Sequence, residues 1–152
     1  MSFEHLFSPH KIRGLELRNR IFSSSHQTIL ARNWCPSEEM AAYHEARAAG
    51  GAGLIVMESA STWGEGAFEP CYLDANHDAC IPGFKRVADV VHRHDCGIFG
   101  QISNSGRLAG GYDGLLSVPN APSTVPDYRF HAMPRAMPTE DVWRLIEAYA
   151  QS

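Results

Sequence analysis

The stretch GLIVMES, residues 53–59, decides the fold class of this chain. Its continuous apolar run, flanked by glycine and serine, is typical of a parallel strand that is buried on both faces. The segments on either side, CPSEEMAAYHEARAAGG and IPGFKRVADVVHRHDCG, have the apolar spacing and the end signals of helices. A buried strand between two helices predicts right-handed βαβ crossovers and therefore an α/β fold with a parallel sheet.

The alternation of strands and helices continues toward both ends of the chain. KIRGLELRNR predicts a small hairpin around Gly14, and IFSSSH begins the first strand of the sheet. Thr139 can cap a last helix. The residues of that helix predicted to face inward are Val142, Leu145, Ile146 and Tyr149. The predicted strand cores are residues 21–25, 53–57 and 98–102, and the predicted helices are residues 38–49, 82–95 and 140–150.

The length of 152 residues predicts a single domain, residues 1–152. Its parts are an N-terminal hairpin, three βα units, a long loop and the beginning of a further helix. They span residues 1–20, 21–102, 103–138 and 139–152, respectively. A loop as long as residues 103–138 usually carries function or covers something.

Composition and charge exclude several classes of function. A net charge of −4 without a basic cluster argues against a nucleic-acid partner. The chain has neither an apolar run of signal-peptide length nor one long enough to span a membrane, so we expect a cytoplasmic protein without a membrane partner. The four cysteines, at 35, 71, 80 and 96, form no CxxC pair. This spacing predicts reduced, unpaired thiols and no metal site.

Polar residues follow each of the three predicted sheet strands. The three strand ends read SSSHQT, MESAS and QISNSGR. In parallel α/β folds ligands bind at the carboxyl ends of the strands, so these ends predict a site for a polar ligand. The dinucleotide fingerprint GxGxxG does not follow the first strand, and the phosphate-binding motif GxxxxGK[ST] does not occur, so neither kind of nucleotide site is predicted.

Four motifs, taken in order, resemble the N-terminal part of the Old Yellow Enzyme family of FMN-dependent oxidoreductases. LFSPHKIRGLELRNRIFSSSH is similar to the family's lid hairpin and first barrel strand, and YHEARAAGGAGLIVMES to its segment in which a tyrosine precedes R-A-x-G-G. QISNSGR and VPNAPS resemble the family's Q-x-x-x-x-G-R strand end and its A-P-S loop. The resemblance implies the N-terminal portion of a (β/α)8 TIM barrel with about three strands and three helices. A complete barrel needs roughly 250 residues.

The resemblance also implies a cofactor site at the strand ends. The residues at the family's FMN-binding positions are Ser25, His26, Gln27, Ser59 and Gln101. Gln101 would hydrogen-bond the pyrimidine edge of the flavin, because a side-chain amide offers both a donor and an acceptor. A core glutamine satisfied by the backbone is the alternative for Gln101, and an ordinary packed histidine is the alternative for His26.

The two residues after Ser25 indicate which branch of the family the chain resembles. A histidine at the position of His26 is similar to the branch that contains 2,4-dienoyl-CoA reductase, trimethylamine dehydrogenase and N-methylproline demethylase. Trimethylamine dehydrogenase tethers FMN through a cysteine at the position of Gln27, and glutamine cannot form that thioether. We therefore expect noncovalent FMN, with NAD(P)H as the electron donor.

The activity implied by the resemblance is hydride transfer between the flavin and a small-molecule substrate, either an enoyl or enone compound or an N-methylated amine. The family's catalytic residues lie in later strands, so the resemblance assigns no catalytic residue within these 152 residues. The alternative is a catalytically inactive fragment that needs the missing C-terminal strands or another chain. Association into a homo-oligomer stays open.

Overall fold

The computed structural model describes residues 3–62, 72–76, 78–109, 118–129 and 131–152. Four α-helices and eight strands, with two short 3-10 helices (Asp78–Cys80 and Gly106–Leu108), make up this part of the chain. The helices are α1 (Glu4–Phe7), α2 (Glu38–Ala49), α3 (Ile81–His92) and α4 (Thr139–Gln151). The strands are β1 (His10–Ile12), β2 (Leu15–Leu17), β3 (Phe22–Ser23), β4 (Leu54–Ser61), β5 (Leu73–Asp74), β6 (Gly97–Ser103), β7 (Asn120–Ala121) and β8 (Arg135–Ala136).

A parallel sheet is the centre of the fold. Strand β4 lies between β3 and β6, and β5 pairs with the carboxyl end of β4, all in parallel. The predicted parallel pairing of the second and third sheet strands is therefore confirmed. The first strand is shorter than the predicted 21–25, because only Phe22 and Ser23 pair with β4.

The pairing of β4 with β6 shifts register between Val56 and Ser59. Val56 is opposite Phe99, but Ser59 is opposite Gln101, so β4 has one residue more than β6 in this interval. Such a bulge re-aims the side chains that follow it. Met57 lies in the core next to the helices, whereas Ser59 hydrogen-bonds to Ser103 of β6.

Helices α2 and α3 cover one face of the sheet and form the core with it. Met40, Ile55, Val87 and Val91 are completely buried there. Helix α2 has the predicted bounds, and the Ser37 hydroxyl caps it by accepting a hydrogen bond from the backbone N–H of Met40 at 3.1 Å. Helix α3 ends at His92, three residues before the predicted 95, because a turn with Asp95 at a φ of 52° follows it.

The predicted N-terminal hairpin is formed by β1 and β2, which pair antiparallel with His10 opposite Leu17. After it, Asn19 connects the hairpin to the sheet. Its amide donates to the carbonyl of Gly51 at 2.8 Å and accepts from the backbone N–H of Ile21 at 3.0 Å. The entry into β3 is thereby fixed to the turn that precedes β4.

Helix α4 differs from its prediction. Its N-cap is Pro138, without a side-chain hydrogen bond, and Thr139 is already the first helical residue. Three of the side chains predicted to face inward are exposed, namely Val142, Ile146 and Tyr149. The helix has the apolar stripe that the sequence predicts, but the described residues do not cover it.

The expectation of unpaired thiols was wrong for two of the four cysteines. Cys35 and Cys80 form a disulfide across a sequence separation of 45 residues, which joins the start of α2 to the start of α3. Cys96 is free and buried, and Cys71 lies outside the described residues. Spacing alone could not show this pair, because the fold brings the two helix starts together.

The stretch expected to be a long loop, residues 103–138, contains the parallel pair β7–β8 and a 3-10 helix in its described parts. Among the described helices none is long and apolar enough to cross a membrane. The division into one domain with the parts given above stays a prediction.

Candidate functional site

The carboxyl ends of β3, β4 and β6 bring four polar side chains together. The Ser25 hydroxyl donates to the side-chain oxygen of Gln101, and the hydroxyls of Ser59 and Ser103 hydrogen-bond to each other. Ser59 is also directly opposite Gln101 in the register of the two strands. We call these four residues the polar cluster. The structure thus brings together three of the five residues expected at the cofactor site.

Gln101 is exposed on the sheet, so its surroundings differ from those of a core glutamine satisfied by the backbone. Its Oε1 accepts the hydrogen bond from Ser25. Its Nε2 has no hydrogen-bond partner within the part of the chain that the structure describes, which leaves both amide hydrogens available to a ligand.

His26 contacts helix α2. The Tyr43 hydroxyl lies 2.9 Å from Nε2 and 3.0 Å from Nδ1 of its ring. The guanidinium carbon of Arg47 is 3.3 Å from the centre of the Tyr43 ring, a cation–π contact that holds the tyrosine in place. His26 is therefore held at the edge of the site by α2, and the next residue, Gln27, is exposed.

Glu58 is a residue of the site's surroundings that the sequence analysis missed. It lies on β4 with 2% of its surface exposed. Its Oε2 accepts hydrogen bonds from the backbone N–H of Thr28, at 2.7 Å, and from the Thr28 hydroxyl. The signal was present in the sequence, since a carboxylate inside an apolar strand is rarely buried unless it has partners.

His44, on the buried side of α2, is a second residue that was missed. Only 3% of it is exposed, and neither ring nitrogen has a hydrogen-bond partner in the described structure. Burial lowers the pKa of His44 from 6.5 to about 4, and electrostatic interaction with Arg47 and His26 adds to the effect. His44 is consequently neutral at physiological pH.

The polar cluster contains hydroxyl and amide groups and no charged side chain. Such a set suits a neutral polar ring edge with alternating carbonyl and N–H groups, because each hydroxyl can donate or accept. It does not suit a phosphate, which needs cationic partners, or a metal ion, which needs anionic partners. In the residues that the structure describes, no group of three or more His, Cys, Asp or Glu side chains is placed to hold a metal ion.

The sequence model of the NADH:flavin oxidoreductase / NADH oxidase family matches residues 5–152 of the chain. The multifunctional alkene reductase/demethylase OYE of Caballeronia cordobensis is 32% identical over 151 residues, which cover 97% of this chain and 22% of that protein. The N,N-dimethylglycine/sarcosine dehydrogenase of Chromohalobacter salexigens is also 32% identical, over 158 residues that cover 99% of this chain and 22% of that protein.

A solved structure agrees with these sequence relatives. The old yellow enzyme homologue from Zymomonas mobilis superposes with a TM-score of 0.84 at 28% identity, covering 96% of this chain and 43% of that chain. The expected resemblance and the expected portion of a (β/α)8 barrel are thereby confirmed. The chain spans about a fifth of the length of the two sequence relatives and less than half of the structural one.

Proposed function

Because the chain belongs to the NADH:flavin oxidoreductase / NADH oxidase family, we propose that it binds FMN noncovalently at the polar cluster, as part of an oxidoreductase. Members of the family are enzymes that use a flavin for redox chemistry, and a bound flavin would supply the hydride transfer. The observation that carries the proposal is the hydrogen bond from Ser25 to Gln101. It fixes the amide of Gln101 with its two N–H groups unused.

The residues present fit the pyrimidine edge of a flavin. Gln101 can donate to a ring carbonyl through Nε2, while the hydroxyls of Ser59 and Ser103 can donate or accept beside it. Ser25 orients the glutamine from the other side. Gln27, exposed at the end of the first strand, has no thiol to bond to the ring, which supports a noncovalent complex. His26 contributes from the rim, where α2 holds it.

The proposed activity is oxidation or reduction of a small molecule, with NAD(P)H as the electron donor, and the family's name includes NADH. We propose two substrate classes, enoyl or enone compounds and N-methylated amines. The first has the support of a relative named as an alkene reductase, and the second that of relatives named as a demethylase and a dimethylglycine dehydrogenase. The cytoplasm is the proposed location.

A second candidate function is supported by the exposure of β6. Within the described residues this strand pairs with β4 alone, and both Phe99 and Ile102 are 42% exposed. An unpaired strand edge with apolar side chains tends to pair with another strand. The alternative is thus a chain that is inactive until the remaining strands, from the same protein or from another chain, pair with β6.

Titration with FMN, followed by flavin fluorescence, tests the binding proposal. Gln101→Leu leaves flavin polar groups without partners, at about 1–3 kcal/mol per group. We therefore expect FMN affinity to fall by about tenfold or more, since each 1.4 kcal/mol is tenfold. The control is Arg86→Leu on the exposed face of α3, which should bind FMN like the wild type. An unchanged affinity in Gln101→Leu, together with a lower melting temperature of the flavin-free chain, would show that Gln101 is structural only.

A chimera separates the two candidate functions. It joins this chain to the part of the Zymomonas mobilis homologue that the chain does not match. FMN retained by the chain alone supports the first function, whereas FMN retained only by the chimera supports the second. If neither protein retains FMN on dialysis, both are refuted. Mass spectrometry after denaturation should find unmodified protein, and a covalent flavin adduct would contradict the expectation from Gln27.

A further inference from the structure

The segment between β3 and α2 is held at three points by side chains from three different elements. The Ser25 hydroxyl bonds to Gln101 of β6, and the His26 ring lies next to the Tyr43 hydroxyl of α2. Glu58 of β4 binds Thr28. We call residues 25–28 the clamped segment. Its one remaining residue, Gln27, is exposed and makes no side-chain hydrogen bond within the described structure.

The hydrogen bonds to Glu58 differ from the other contacts of the clamped segment because they involve a buried carboxylate. One carboxylate oxygen, Oε2, receives both the backbone N–H and the hydroxyl of Thr28. The other oxygen, Oε1, is buried without a partner in the described residues. Burying a carboxylate here is unfavourable unless hydrogen bonds compensate for the free energy of its lost hydration. A neutral residue would hold the core of β4 at less cost, so stability alone does not account for Glu58.

The bulge in β4 lies between Val56 and Ser59 and includes Glu58. Met57 packs in the core with the helices, and Glu58 bonds to Thr28. Ser59 lies opposite Gln101. This stretch of β4 therefore carries both a hydroxyl of the polar cluster and a carboxylate that supports the neighbouring strand end.

We propose that Glu58 is a positioning residue that fixes Gln27 toward the flavin site through Thr28. This inference rests on the proposed function, because it takes the polar cluster to be the flavin site. Glu58 is 2% exposed and acts through its hydrogen bonds to Thr28. Its hydrogen bonds fix the backbone directly after Gln27, while the contacts of Ser25 and His26 fix the backbone before it. The backbone at Gln27 is therefore held with little freedom, and a ligand binds with less ordering of the segment.

The first test compares the flavin-free chain with its variants by amide hydrogen exchange in NMR. We expect Glu58→Leu to increase the exchange rate of the Thr28 amide and to shift the resonances of Gln27. Glu58→Gln retains an acceptor oxygen and should restore most of the protection. The matched control is Asp141→Leu, which removes a buried carboxylate paired with two arginines on and beside α4. It should leave the Thr28 and Gln27 signals unchanged.

The second test measures FMN affinity in the same proteins. Loss of hydrogen bonds to a charged group is expected to weaken FMN binding by about tenfold in Glu58→Leu. Thr28→Val removes only the hydroxyl and should give a smaller loss, and the double variant should be no weaker than Glu58→Leu, because both act on one contact. Asp141→Leu should lower the melting temperature while FMN affinity stays within about twofold of the wild type.

The two tests distinguish failure of this inference from failure of the proposed function. Normal Gln27 resonances and normal FMN affinity in a destabilised Glu58→Leu chain would show that Glu58 is structural, and would overturn the inference. Absence of FMN binding in the wild type and in the chimera would refute the proposed function, while the exchange data would still decide whether Glu58 positions Gln27. If Glu58→Leu does not fold, Glu58→Gln and Thr28→Val give the same comparison with milder changes.

Discussion

The stability of this chain should depend on pH through His44, which is neutral and buried in the folded state. Its folded pKa is about 4, against 6.5 for the free side chain. Between these two values the unfolded chain binds a proton that the folded chain does not. Lowering the pH through this window therefore favours unfolding, and the stabilisation is complete only above about pH 6.5.

The size of the effect follows from the two pKa values. A difference of about 2.5 units corresponds to a limit of about 3 kcal/mol, at 1.36 kcal/mol per unit. The same values give a loss of about 2 kcal/mol between pH 7.5 and pH 5. That is a large fraction of the 5–15 kcal/mol by which domains are usually stable.

Urea unfolding curves at a series of pH values measure this directly. The wild type should lose about 2 kcal/mol more than His44→Leu when the pH falls from 7.5 to 5, because leucine cannot take up a proton. His92→Leu, at an exposed position of α3, is the matched control and should keep the slope of the wild type. Equal pH dependence in the wild type and His44→Leu would refute the description of His44 as a buried neutral base.

Two further predictions concern covalent and steric constraints in the scaffold. In a Cys71→Ser background, thiol titration of the denatured chain should find one free thiol before reduction and three after it, because Cys35 and Cys80 are bonded. Three thiols before reduction would contradict the disulfide. Reduction of this pair should lower the unfolding free energy by about 2–4 kcal/mol, the usual range for a loop of this length. Gly53→Ala should destabilise by about 1–3 kcal/mol in urea unfolding, since its Cβ would lie 2.7 Å from the Asn19 side chain. Gly14→Ala, with open space around it, is the control, and equal stability of the two variants would refute the steric argument.

The sequence predicted the layers of the fold because its signals for them are local. GLIVMES is continuous in its apolar character, and Ser37 stands directly before a helix with acidic residues in its first turn. Each signal depends on neighbours in sequence, so strand β4 and helix α2 could be placed without knowing what packs on them. The Cys35–Cys80 disulfide and the exposure of α4 depend instead on which segments meet in space.

The candidate site, like the layers of the fold, could be predicted only where its signals are local in sequence. Polar strand ends placed Ser25, Ser59 and Gln101 at one edge of a parallel sheet, and the structure brings those three together. Alternation along the strand could not assign a direction to Glu58, because the bulge breaks the alternation at that point. A strict period of two places Glu58 and Ser59 on opposite faces without showing what either one contacts.

The bulge also connects the scaffold to the proposed flavin site. Within this bulge β4 has two residues, Met57 and Glu58, against Gly100 alone of β6, and Ser59 then lies opposite Gln101. Deleting Met57 would restore a one-to-one pairing in which Glu58 lies opposite Gly100 and Ser59 stays opposite Gln101. The polar cluster would then be kept, while the core would lose the buried side chain of Met57. The bulge therefore allows β4 to add an apolar core residue without moving the hydrogen-bonding groups of the proposed flavin site.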